Sequence, residues 1–177
     1  MTSQPLVTGE RADLLETLAL HRGFLRHTLN GLSDEQAALR PTASELCLGG
    51  LIKHVAATER QWLRFARGDT AAVALPDTEE KAEAAYRERA REFTMLPGET
   101  VTGVLASYDD VAAETARIVT DVPSLDTTYP LPEAPWFAPG ARWSVRRVLL
   151  HVIAETSQHA GHADILRETI DGQKTMG

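Results

Sequence analysis

The chain has 177 residues, 43% of them hydrophobic and 24% charged, the balance of a soluble globular protein with one sizeable core. Its 18 basic residues against 25 acidic ones give a formal net charge of −7, which argues against a nucleic-acid partner. The single cysteine, Cys47, excludes an internal disulfide, and no apolar run approaches the roughly 18 residues of a membrane span.

The N-terminus "MTSQPLVTGERADLL" lacks the basic and apolar regions of a signal peptide, so the cytoplasm is the expected compartment. The first predicted helix runs from about Glu10 to Asn30, with Leu14, Leu18, Leu25, Leu29 and Leu32 at three-to-four spacing. A short turn of helix follows in "SDEQAALRP", where Ser33 and Gln36 fit a capping box and Pro41 stops the element. The second long helix covers about Glu45 to Arg67, on a stripe of Leu48, Leu51, Ile52, Val55, Trp62, Leu63 and Ala66. Within residues 69–97, "EEKAEAAYRERAREF" has helix-forming composition and weak amphipathicity, which predicts an exposed helix. "LPGET" breaks it. The third long helix spans about Val101 to Val122, with Val104, Leu105, Tyr108, Val111, Ala112, Ile118 and Val119 in register.

The loop over residues 123–143 holds five of the nine prolines. Loops of that length are usually functional or disordered, and Tyr129, Trp136, Phe137 and Trp143 favour an ordered one. The last helix runs from about Ser144 to Asp171 and ends at Gly172. Four amphipathic helices with these connections predict a single all-α domain over residues 1–177, an antiparallel four-helix bundle.

The last helix carries "HVIAETSQHAGH", three of the six histidines in twelve residues. At about 100° per residue, Val145, Val148, Leu149, Val152, Ala163, Leu166 and Ile170 form one arc. His159 falls near its centre and Glu155 near its edge, with His162 and then His151 further round, which is the expected order of burial. A buried carboxylate is costly unless it is paired or ligating. Glu155 and His159, at i and i+4, can converge on one point. His54, on a line with Cys47, Thr58 and Phe65, is the best partner from another helix, although spacing leaves its direction open.

Each of these residues has an ordinary structural alternative. Glu155 and His159 can be a satisfied core pair. His21 reads as packing, His27 as solvated, and Cys47 as a small buried apolar residue. Arg167 is expected to pair with Asp164 on the helix surface, and Arg142, Arg146 and Arg147 to be solvated. Trp136, Phe137 and Trp143 can wall an apolar substrate or simply pack the loop.

Two stretches carry a resemblance. "GLSDEQAALRPTASELCLGGLIKHVAATERQWLR" and "RWSVRRVLLHVIAETSQHAGHADILRETIDG" resemble the DinB/YfiT-like superfamily of metal-binding four-helix proteins. The second, with its H-x-x-x-E-x-x-x-H-x-G-H-x-D-x-x-R-E pattern, resembles the mycothiol-dependent-transferase-like branch. The resemblance implies a metal held by His54, Glu155 and His159, with His151 and His162 behind the ligands. It implies a divalent ion, zinc first and nickel, iron or manganese next, and mycothiol or a similar small thiol as co-substrate. The implied reaction is transfer of that thiol to an electrophile. Two histidines and one glutamate leave an open coordination position, as in catalytic rather than closed structural sites.

Competing readings keep the metal and change the outcome: a hydrolase, a maleylpyruvate-type isomerase, iron(II) chemistry on a two-His-one-carboxylate set, or a non-catalytic metal-binding stress protein. No catalytic acid or base can be named from the sequence. The expected partners are a small thiol and an electrophile, without nucleic acid or membrane, and a homodimer is expected from the association of related bundles.

Overall fold

The computed structural model describes residues 7–175. Its elements are α1 (Glu10–His27), α2 (Asp34–Ala37), α3 (Leu48–Ala66), a 3₁₀ turn (Thr70–Val73), α4 (Glu79–Glu92), α5 (Val101–Asp121), β1 (Thr128–Pro130), β2 (Arg142–Ser144) and α6 (Val145–Asp171). Local chemistry sets most of these limits. Ser33 and Gln36 form the expected capping box: the Ser33 Oγ accepts from the Gln36 N–H at 3.2 Å, and the Gln36 Oε1 accepts from the Ser33 N–H at 3.0 Å. The side chains of Thr78, Thr100 and Ser144 cap α4, α5 and α6. Gly172, at φ 80°, ends α6 in the left-handed conformation that a side chain would strain. α1 stops at His27, short of Asn30, because the chain turns through Thr28–Gly31, where Gly31 has φ 74°.

The four long helices α1, α3, α5 and α6 form the predicted all-α bundle. Their directions follow from the side chains that join them. Arg11 at the start of α1 donates to the Val122 carbonyl past the end of α5 at 2.7 Å, so α1 and α5 run oppositely. α3 and α6 are likewise antiparallel: His54 meets His159, while Trp62 meets His151. α1 and α6 run the same way, since Arg146 bonds Glu10 at one end and Arg167 bonds the Thr28 carbonyl at the other. The connection over residues 67–100 carries the chain back along the bundle, so α3 and α5 also run in one direction. The antiparallel expectation therefore holds for two of the four neighbouring pairs.

Two apolar clusters fill the bundle. One holds Leu25, Leu48, Leu51, Val55, Tyr108 and Leu166 among others, and the second holds Leu14, Leu18, Phe65, Val119, Val148 and Val152. Each of the four helices also buries a polar residue: Arg22 on α1, Glu59 on α3, Thr115 on α5 and Thr156 on α6, with Arg22 and Thr156 falling between the two clusters along their helices. Arg22 and Thr115 both donate to the Glu59 carboxylate, which ties three helices together at one level. The Thr156 hydroxyl instead donates to the Val152 carbonyl at 2.8 Å.

The long loop is ordered into a two-stranded antiparallel ribbon pairing Thr128 with Ser144, Tyr129 with Trp143 and Pro130 with Arg142. Arg146 is only half-exposed, because it bridges Glu10 and Asp126. Arg167 corrects the expected surface pair with Asp164. It is buried, bonds Asp171 one turn later, and donates to the carbonyls of Thr28 and Asn30 at 2.7 and 2.8 Å. Its length lets it reach the unpaired carbonyls that follow the end of α1, which a surface pair would leave open. None of the helices formed by the described residues is long and apolar enough to cross a membrane.

Candidate metal centre

His54 lies in the first half of α3, and Glu155 and His159 lie one turn apart near the middle of α6. Antiparallel packing of α3 on α6 brings them together. His54 is buried, with its side chain 1% exposed. Its ring stacks on Phe93 at a centroid distance of 4.0 Å and meets His159 edge-on at 4.9 Å. The His159 Nε2 lies 3.7 Å from the Glu155 Oε2. One ligand atom from each of the three residues falls within 4.8 Å of the other two. Four-coordinate zinc with bonds near 2.0–2.1 Å holds its ligand atoms roughly 3.4 Å apart. Small side-chain rotations close that gap, so the two nitrogens and one oxygen fit a divalent ion.

The electrostatics suit the same chemistry. Burial, aided by the neighbouring His54, pushes His159 down to about 4, against the opposing pull of Glu155. His159 is therefore neutral at physiological pH, the form in which imidazole coordinates a metal. Burial also lowers the pKa of His151.

His151 departs from the expected burial order. His151, placed outermost by the helical wheel, has a side chain 25% exposed, against 28% for Glu155 and 14% for His159. The wheel sees only α6. Trp62 of α3 and Trp143 of β2 close over the His151 ring at 4.8 and 5.2 Å. The His151 Nε2 then lies 3.9 Å from the Glu155 Oε1, behind the carboxylate. His162 does not approach Glu155. It meets His159 from the other side, Nδ1 to Nδ1 at 3.5 Å.

The loop aromatics form a run toward this centre. Trp136, 68% exposed, contacts Phe137, which contacts Trp143, which stacks on Trp62 at 4.9 Å. The last two hold His151. Trp62 was legible only as part of an apolar stripe. Two further residues at the centre come from residues 69–97, which the sequence tied to nothing. The Glu92 Oε2 is 3.1 Å from the His54 Nδ1, and Phe93 covers the ring. The signal for them was the switch from a charged helix to Phe93, Met95 and Leu96 at its end. Cys47 is buried as expected, and His27 is exposed.

The fold has known relatives. A conserved protein of known structure from Enterococcus faecalis matches at a TM-score of 0.68 over 94% of this chain and 100% of its own, with 15% sequence identity, a likeness that shows the fold. No curated protein matches the chain in sequence. The family model for mycothiol-S-transferase matches residues 13–172, a span that includes α3, α5, α6, all but the first turn of α1, and every histidine and carboxylate of the centre. The chain belongs to the mycothiol-S-transferase family of DinB/YfiT-like proteins.

Proposed function

We propose that this protein transfers a small thiol of the mycothiol type to an electrophilic substrate, at a divalent metal held by His54, Glu155 and His159. The observation that carries the reading is the convergence of two imidazoles and one carboxylate between α3 and α6, in a chain of this family. A donor set of this kind suits zinc, and also nickel, iron(II) or manganese. When bound with an open position, such an ion acidifies a coordinated thiol so that it reacts as the thiolate near neutral pH.

The protein's own groups prepare the reaction. His159, kept neutral by burial, presents a lone pair rather than a proton. Glu155 brings the negative charge, and His151 backs its outer oxygen. Phe93 and the helix packing exclude water from His54. Trp143, Phe137 and the exposed Trp136 offer an apolar wall beside His151 on which the electrophile rests. In the transfer, the S–H bond breaks and its proton passes to solvent. The thiolate sulfur bonds the electrophilic carbon as that carbon releases its leaving group with the bonding pair or, at an activated double bond, as the neighbouring atom takes up a proton.

The test is metal content and thiol turnover in untagged protein. One metal per chain is expected, along with loss of mycothiol when a generic electrophile is added and a cobalt spectrum that changes with thiol. Free zinc at about 100 times its Kd should stabilise the fold by about 2.7 kcal/mol, raising Tm by about 5–11 °C for a chain of this size. His159→Ala should lose both the metal and the Tm increase while keeping its helical circular dichroism. Full metal occupancy in His159→Ala would overturn the ligand set. A metal-loaded protein that consumes no thiol would overturn the transferase reading.

A further inference from the structure

The restraint on His54 comes from outside α3 and α6, at the end of α4. That helix buries none of its residues, yet the chain at its end is firmly seated against the turn of α3 that carries His54. Lys53 donates to the carbonyls of Arg91 and Thr94 at 3.2 and 2.7 Å, and to the Glu99 carboxylate at 2.6 Å. The Phe93 backbone lies so close to Gly50 that a Cβ there would collide with its carbonyl. Glu92 and Phe93 then meet the two aspects of the His54 ring, its Nδ1 edge and its face. Arg89 lies 3.8 Å from Glu92 and over the Phe93 ring, which holds both from the solvent side.

A neutral imidazole has one N–H and one lone pair, and a carboxylate can only accept. Contact with Glu92 therefore puts the His54 proton on Nδ1 and leaves the lone pair on Nε2. The nearest hydrogen-bonding group to Nε2 is the Thr58 hydroxyl at a long 3.4 Å. A carboxylate that receives the distal N–H of a metal-binding histidine fixes its tautomer and raises its basicity.

We propose that Glu92 is a positioning residue for the metal centre, setting His54 as the Nδ1–H tautomer with Nε2 directed to the ion. Glu92 itself stands outside the three-residue cluster, and its role rests on the ligand set proposed above.

The experiment measures zinc affinity by chelator competition, and the ring ¹⁵N shifts of His54 in metal-free protein. Glu92→Ala should weaken zinc binding about 10–100-fold. Glu92→Gln, close in shape and still able to accept a hydrogen bond, should weaken it less and guards against a folding defect in the first variant. Glu88→Ala, one turn earlier on the exposed face of α4, should bind zinc like the native chain. Native His54 should show a protonated Nδ1, and Glu92→Ala should lose that preference. Native zinc affinity in Glu92→Ala, or a native His54 protonated on Nε2, would overturn the role of Glu92. A native chain that binds no zinc would instead overturn the ligand set, and this inference with it.

Discussion

Replacing Arg22 by Met should expose how much the buried polar layer contributes. Arg22 and Glu59 are 7% and 1% exposed, and the carboxylate accepts from the Arg22 Nη2, from its Nε at 3.3 Å and from Thr115. The guanidinium also stands 5.9 Å from the Tyr108 ring centroid. Met keeps much of the volume and removes the charge, leaving the Glu59 carboxylate in the core with one hydroxyl donor. Stranding one member of a buried pair costs about 3–5 kcal/mol. For a chain of this size that corresponds to a Tm lowered by about 6–20 °C. Urea unfolding of the metal-free protein measures the cost, and Glu59→Leu alone and together with Arg22→Met complete the cycle. The double variant should recover most of the loss, because an apolar replacement of a buried pair is often neutral or stabilising. A single variant within about 0.5 kcal/mol of the native chain, the range of an ordinary surface substitution, would refute the argument. It would mean that Glu59 finds another hydrogen-bond donor when Arg22 is gone.

Adjacent glycines of α3 should respond differently to alanine. A Cβ on Gly49 meets the flexible end of Met95, while one on Gly50 meets the Phe93 backbone. Gly49→Ala should fall within about 1 kcal/mol of neutral, helped by helix propensity, whereas Gly50→Ala should cost about 1–3 kcal/mol and weaken zinc binding by shifting Phe93 off His54. Equal thermal stability of the two variants would contradict this. Stability of the metal-free protein should also depend on pH through His159. Its folded value of about 4 lies below the 6.5 of a free imidazole. The unfolded chain thus takes a proton that the folded chain refuses, so this contribution is complete above about pH 6.5 and fades as pH falls toward 4. His151, also lowered by burial, adds in the same direction. Urea midpoints at about pH 7 and pH 5 should differ less in His159→Asn than in the native chain. An unchanged difference would show that His159 does not carry the effect.

Much of the centre was legible because it is local. Glu155 and His159 share a face of one helix, and an i, i+4 spacing fixes that relation before any packing occurs. The caps at Ser33 and Ser144 and the stop at Gly172 are equally short-range, which is why the limits of α6 matched those expected. His151 was misplaced in the order of burial because its cover comes from Trp62 and Trp143, on two other elements. Arg167 was misread because its acceptors lie past the end of α1, far away in sequence.

The amino-acid sequence by itself determined where the helices run, which faces are apolar, and that one face of α6 carries a carboxylate and an imidazole in reach of each other. Only the tertiary structure decided that His54 points at them, that Glu92 and Phe93 hold it, and that Glu59 is buried against Arg22. The reason is geometric. Helical periodicity specifies neighbours within about one turn, while the direction of each helix and the seating of α4 depend on how whole faces fit together.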